Sequence, residues 1–254
     1  MSAMLYLRVP GWDDVEGLTH GFLGRLESPL TQAVDADSDR SDPSCTGRDP
    51  LCDVKKAAGL EGVTITTLRQ VHGDRILEVS SPPPKEAGEG DALATNQKGV
   101  FLGIRTADCL PVLIVDPPRR VCAAVHAGWR GTLAGIAGKA VAHLGKRYGS
   151  VPGDIHVALG PAIGRCCYEV GQEVITAFQN ALGESVEEHL DRQGEKGMID
   201  LRGLNTQQLM EAGVPETQIA QVGPCTVCAF ADFHSYRREG TKAGRQISFV
   251  GFLS

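Results

Sequence analysis

No stretch of this 254-residue chain approaches the roughly 18 consecutive apolar residues that a membrane-spanning helix requires. Its opening, MSAMLYLRVPGWDD, has no basic segment leading into an apolar core, so no secretory signal is read there. Positive charge is in deficit: 25 Lys and Arg stand against 31 Asp and Glu, for a net charge of −6. An acidic chain suits neither nucleic acid nor an anionic membrane as its principal partner. No H-E-x-x-H is present, and nothing repeats at a fixed period. The single C-x-x-C, Cys225 to Cys228, has no second pair at the spacing of a zinc knuckle and no thioredoxin-like βαβ context. Together these absences lead to the expectation of a cytoplasmic protein with reduced thiols, in which a special cysteine serves a metal or acts as a nucleophile.

What is present is an ordinary globular composition, 42% hydrophobic and 22% charged, long enough to bury a core without staples. From Glu27 to Pro50 the chain is polar and rich in Asp, Ser and Pro, which reads as a long loop. Val54 to Leu60 reads as a helix fragment. Residues 5–9, Val63–Leu68 and Arg75–Val79 are strand-like, and the proline-rich stretch from Ser81 to Gly90 reads as a loop unable to pair in a sheet. Val100–Arg105, Leu110–Val115 and Val121–Val125 are nearly continuous apolar runs of strand length, the mark of strands buried on both faces. Helical stripes run over Thr132–Tyr148, Val170–Leu182 and Leu201–Ala212, each stopped by glycine. Ile155–Leu159, Ile219–Val222 and Ile247–Phe252 complete the strands. The pattern predicts one α+β domain, residues 1–254, around a central sheet, with the polar loop at about 27–50.

Three short segments each place a metal-competent side chain at the end of an apolar run: Gln-Val-His72-Gly, Thr-Ala-Asp-Cys109-Leu-Pro and Val-His126-Ala-Gly-Trp-Arg-Gly. Two histidines and a cysteine make three ligands for a borderline metal, and three protein ligands leave a fourth position open, which separates a catalytic zinc site from a structural one. The spacing, with 36 and then 16 intervening residues, does not by itself bring them together. A histidine beside glycine is more often a surface or capping residue, and a cysteine in an apolar run is more often core. Of the other cysteines, Cys45 and Cys52 sit in the polar loop, and Cys166-Cys167 is a vicinal pair expected to strain the backbone if both bound one ion.

With these motifs in view the chain resembles the YfiH family, also called the multicopper polyphenol oxidase or laccase-domain family. The resemblance covers Gly62 to Phe252, about three quarters of the chain. It rests on QVHGD (70–74), TADCLPVLIVDP (106–117), VHAGWRGT (125–132), LGPAIGRCCYEVG (159–171), and Cys225-Thr226 with SYRREGTKAGR (235–245). HGFLGR (20–25) is similar to the family's HGFSTR. The resemblance implies zinc ligation by His72, Cys109 and His126. It implies an α+β fold, a mixed β-sheet sandwich flanked by helices, similar to the catalytic domain of cytotoxic necrotizing factor. It further implies zinc-dependent chemistry on a purine nucleoside and phosphate: phosphorolysis of adenosine, inosine and methylthioadenosine, and deamination of adenosine. The chain departs from the family before residue 60, where an Asn-Leu-Gly segment and an Asn-Arg pair are replaced, and at Phe233-His234-Ser235-Tyr236-Arg237, where the family has a second Phe in place of His234.

On this reading Cys109, Asp108 and His126 are the catalytic candidates, with Asp108 as proton carrier or as a turn residue bonded to local amides. Arg25, Gln70 and Arg130 are the candidate substrate-binding residues, Arg25 leading for phosphate because a guanidinium grips phosphate through two bonds. Trp129 is a candidate to stack a purine, and Gly160–Gly164 a turn that could turn amides toward an anion. Two other chemistries remain open: a metal-free Cys109–His126 hydrolase dyad, and, implied by the family resemblance alone, hydrolytic editing of a peptidoglycan precursor. Copper ranks below zinc, since a blue-copper site wants an axial ligand such as Met and a multicopper oxidase needs more than seven histidines.

Overall fold

The computed structural model describes residues 5–25, 55, 59–60 and 63–254. The polar segment at about 27–50, most of the expected 54–60 helix, and Cys45 and Cys52 lie outside the described residues.

Strands β1 (Tyr6–Leu7), β2 (Leu18–Leu23), β3 (Ile65–Arg69), β4 (Ile76–Glu78), β5 (Glu86–Glu89), β6 (Ala92–Thr95), β7 (Phe101–Thr106), β8 (Leu110–Asp116) and β9 (Val121–Ala127) are followed by helices α1 (Trp129–Leu133) and α2 (Ile136–Tyr148). Then come β10 (His156–Leu159), β11 (Glu169–Gly171), α3 (Gln172–Leu182), β12 (Leu190–Gln193), β13 (Lys196–Ile199), α4 (Leu201–Glu211), β14 (Ile219–Gln221), α5 (Tyr236–Glu239) and β15 (Gln246–Phe252). Two six-stranded mixed sheets result, ordered β1-β2-β15-β7-β3-β5 and β14-β10-β8-β9-β6-β4, with a small three-stranded sheet β11-β13-β12 beside them.

The apolar runs explain the layering. Along β8 and β9 successive side chains alternate between two cores. Leu113, Val115, Cys122 and Ala124 point inward against Phe22, Leu102, Ile104 and Val250 of the facing sheet. Val112, Ile114, Ala123 and Val125 point outward against Ile136, Ala140, Val141 and Leu144 of α2. A strand with apolar partners on both faces gains nothing from alternating polarity, so its sequence reads as an unbroken run. The α+β sandwich is therefore as expected, but with two large sheets rather than one central sheet.

Two local expectations differ from the structure, and one element has no reading in the sequence. The Thr132–Tyr148 helix begins earlier, at Trp129, and is broken into α1 and α2 at Gly135, whose φ of 73° lies in the left-handed region. The 81–90 segment does pair: its prolines end at Pro84, and Glu86–Glu89 forms an edge strand parallel to β3. The β12–β13 hairpin, Leu190 to Ile199, is almost wholly polar and gives no strand pattern.

Candidate metal centre and its surroundings

The register of three strands assembles the site. In the β8–β9 hairpin Pro111 pairs with His126, so Cys109, just ahead of β8, comes alongside Gly128, just past β9. The gap is tight: a Cβ on Gly128 would stand 3.1 Å from the Cys109 sulfur and 3.3 Å from the His72 ring. In the β6–β9 pair Ala92 faces Val125, which sets Asp91 across from His126. The His126 amide donates to the Asp91 carbonyl at 2.7 Å, and the His126 Nδ1 lies 2.8 Å from Asp91 Oδ1. His72 enters from the turn after β3, its ring edge-on to His126 with centroids 4.9 Å apart. One ligand atom from each of His72, Cys109 and His126 lies within 4.8 Å of the others. His126 is buried, Cys109 half-buried and His72 exposed, so the group opens to solvent on one side.

Two of these positions hold unfavourable backbone. His72 has φ 60° and Asp108, next to Cys109, has φ 85°, conformations that non-glycine residues adopt at a cost of about 1–3 kcal/mol and keep only where neighbours over-determine them. The neighbours are present. Asp91 accepts the amides of Val71, His72 and Gly73 at 3.3, 2.9 and 2.7 Å. Asp108 accepts the Thr226 hydroxyl at 2.6 Å, the Ser235 hydroxyl at 3.0 Å and the Arg237 amide at 2.6 Å, while its carbonyl accepts the Ile163 amide at 2.9 Å.

The electrostatics follow from the packing. Burial alone would push the Cys109 thiol up, but hydrogen bonding and positive charge at His126 and His72 outweigh it and bring it down to about 6. Burial would lower His126, yet its bonds to Asp91 and Cys109 raise it to about 9. Without a metal this is a thiolate–imidazolium pair. The donor set also fits a divalent ion: a thiolate and two imidazoles, with a carboxylate on Nδ1 of one imidazole. That carboxylate fixes the tautomer that leaves Nε2 as ligand.

The remaining expected residues fall out unevenly. Arg130 is exposed and lies over the Trp129 ring at 4.3 Å. Gln70 does not face the site's opening: its amide donates to the Arg105 carbonyl at 2.7 Å and accepts the Arg105 amide at 3.0 Å, so it clamps two strands. Arg25 donates to Phe230 carbonyl and to Glu239 at 2.9 and 3.2 Å, so its charge is already partnered. Asp108 bonds distant loops rather than local amides, and both of its oxygens are occupied. Asp91 escaped the motif reading, although it too stands at the head of an apolar run, in Gly90-Asp91-Ala92-Leu93. Tyr168 also escaped it. Its ring lies under the Arg237 guanidinium at 5.6 Å, and burial, with the negative charge of Cys109 nearby, keeps its hydroxyl protonated well above the usual range.

A family model described as multi-copper polyphenol oxidoreductase laccase matches residues 32–253. The chain is similar to a purine nucleoside phosphorylase of Deinococcus radiodurans, 38% identical over 84% of this chain and 80% of that protein. It is likewise similar to adenosine deaminase RL5 of an unknown prokaryotic organism, 38% identical over 72% of each chain. Among solved structures, the hypothetical protein YfiH of Bacillus licheniformis superposes with a TM-score of 0.81 at 30% identity, covering 99% of this chain and 97% of that one.

Proposed function

Because the chain belongs to the multi-copper polyphenol oxidoreductase laccase family, we propose that it is a zinc-dependent purine nucleoside enzyme, acting by phosphorolysis of adenosine, inosine and methylthioadenosine and by deamination of adenosine. The observation that carries the proposal is the convergence of His72, Cys109 and His126 at an opening to solvent, in a chain whose relatives bear the names purine nucleoside phosphorylase and adenosine deaminase. Zinc is favoured over a copper cluster because, among the described residues, His20, His143, His156, His189 and His234 belong to no group of metal-competent side chains.

When bound, the ion supplies Lewis acidity at an open fourth position. The chain's own groups do the rest. Cys109 binds as thiolate, and Asp91 orients His126 by accepting from Nδ1. Asp108 is a positioning residue: three donors on its carboxylate hold Cys109's approach, and carrying a proton would cost it one of those bonds. Arg130, over Trp129, and Arg237, over Tyr168 with one donor on the Glu169 carbonyl, give the cationic face for phosphate in place of Arg25, whose charge is paired with the Glu239 carboxylate. Tyr168, protonated at neutral pH, is a hydrogen-bond donor beside them.

A specific arrangement favours one second reading. Asp91 bonds His126 at 2.8 Å, and Cys109 stands within 4.8 Å of the His126 ring nitrogen, a grouping that a metal-free thiol hydrolase could use. Such a triad has no use for His72, which also lowers the Cys109 thiol. The test is a nucleoside panel with and without phosphate, run on wild type and on His72→Ala, with zinc measured in both. Phosphate-dependent release of base from inosine, lost together with one zinc in His72→Ala, is expected. Full turnover by the zinc-depleted variant would sink the proposal.

A further inference from the structure

Cys225-x-x-Cys228 lacks a second pair in sequence but not in space. Cys166 and Cys167, about 60 residues upstream, place their sulfurs on the same spot, and all four Sγ atoms lie within 4.8 Å of one another. The Cys228 sulfur is 3.7 Å from that of Cys166 and 3.5 Å from that of Cys167. None of the four is disulfide-bonded. Four thiolates around zinc at about 2.3 Å stand about 3.8 Å apart in a tetrahedron, close to the spacing found before any ion is added. We propose that Cys166, Cys167, Cys225 and Cys228 form a second metal site that holds a structural zinc ion, separate from the His72–Cys109–His126 centre.

The expected obstacle was the vicinal pair. The backbone removes it by turning at this point: the Cys167 and Tyr168 amides both donate to the Gly164 carbonyl, at 2.9 and 3.0 Å, so consecutive side chains emerge toward one side. Glycine at 164 keeps this approach uncrowded, since a Cβ would stand 3.1 Å from the Cys225 Cβ and 3.3 Å from the Cys166 sulfur. The two segments are docked independently of any ion. Ala162 and Cys225 form a parallel bridge, and the Thr226 amide donates to the Ala162 carbonyl at 3.1 Å.

The surroundings of Cys225 suit negative sulfur, while burial and the neighbouring sulfurs push the Cys166 and Cys167 thiols up until an ion takes their protons' place. The Gly164 amide donates to the Cys225 sulfur at 3.2 Å, and the Val227 and Cys228 amides also point at it. Despite burial, these bonds bring the Cys225 thiol down to about 7. The Arg202 guanidinium, held by the Gly160 and Pro224 carbonyls, is near enough to feel Cys225 and Cys166 and offsets part of the net double negative charge of a zinc tetrathiolate. Binding releases the thiol protons to solvent and needs no electron transfer. Cys166 and Cys228 are exposed, which gives the ion a way in. Four sulfurs leave no open position, so the site is structural.

The test uses full-length protein prepared under reducing conditions. Wild type is expected to hold two zinc ions per chain, with one in a His72→Ala/Cys109→Ser protein and one in a Cys225→Ser/Cys228→Ser protein. Cobalt added to zinc-stripped His72→Ala/Cys109→Ser is expected to give the intense thiolate-to-cobalt absorption of a four-sulfur site, and zinc is expected to raise that protein's melting temperature. That variant keeps all four cysteines, so the result stands even if the Cys225→Ser/Cys228→Ser protein fails to fold. No metal in His72→Ala/Cys109→Ser, a disulfide between Cys228 and Cys166 or Cys167 in the fresh protein, or copper in place of zinc would each overturn the proposal. Loss of nucleoside turnover alone bears on the first centre and leaves this one untouched.

Discussion

Two groups of metal-competent side chains lie on neighbouring loops and are built on opposite plans. The first sits at the ends of β-strands, mixes two imidazoles with one thiol, and stops at three donors. The second sits on turns, has four sulfurs, and leaves nothing open. Strand ends hold side chains rigidly beside an opening, which suits chemistry. Turns let four side chains converge and close around an ion, which suits bracing. The two are joined. Thr226, between Cys225 and Cys228, donates to the Asp108 carboxylate, and Ile163, ahead of Cys166, donates to the Asp108 carbonyl. The sulfur cluster therefore braces the residue that aims Cys109.

The largest expected effect falls on the first group. His126→Ala should abolish nucleoside turnover, exceeding the roughly 10–100-fold cost of altering an outer partner, while the cobalt signal of the sulfur cluster persists. Steady-state rates and cobalt spectra on one preparation check this, and a coincident loss of both would erase the distinction. Asp91→Asn comes next. It keeps one acceptor oxygen but loses charge and amide bonds, so zinc affinity at the first group should fall about 10–100-fold, as measured by competition with a chromophoric chelator.

Cys225→Ser/Cys228→Ser should act mainly on stability, lowering the melting temperature by about 5–10 °C, with kcat falling less than about tenfold through the loosened Thr226–Asp108 contact. A loss of turnover as deep as that of His126→Ala would make the sulfur cluster part of the chemistry. The finest contrast is in pH. In metal-free protein the Cys109 thiolate fraction rises with pH through about 6 and that of Cys225 through about 7, while Cys122, buried in apolar surroundings, is pushed up to about 12. Alkylation followed by peptide mass spectrometry should show Cys109 half-maximal about one pH unit below Cys225, with Cys122 inert at neutral pH. Equal profiles would contradict the imidazole pairing of Cys109.

The same comparison shows what was legible beforehand. β8 and β9 announce themselves because burial on both faces requires unbroken apolar runs, and Cys109 stands just ahead of β8 while His126 stands near the end of β9. The first group was readable as residue types, and the family resemblance supplied convergence that spacing could not. The sulfur cluster was hidden because its halves are about 60 residues apart and meet through the Ala162–Cys225 bridge and the bonds beside it, none of which a local pattern encodes. Adjacent cysteines would strain the backbone in binding one ion, and the turn at Gly164 brings their side chains to one side instead. Asp91 was missed because its role depends on cross-strand register, which a single strand's pattern does not encode.

The Asp91 carboxylate has a consequence for how fast an ion could come and go. It grips the amides of Val71, His72 and Gly73 with one hand and the His126 ring with the other. His72 on the loop and His126 on the strand thus share one anchor. Ligands so tethered do not peel away in turn. Exchange waits for a single opening of the 71–73 turn, and hydrogen exchange at those three amides reads the frequency of that opening directly.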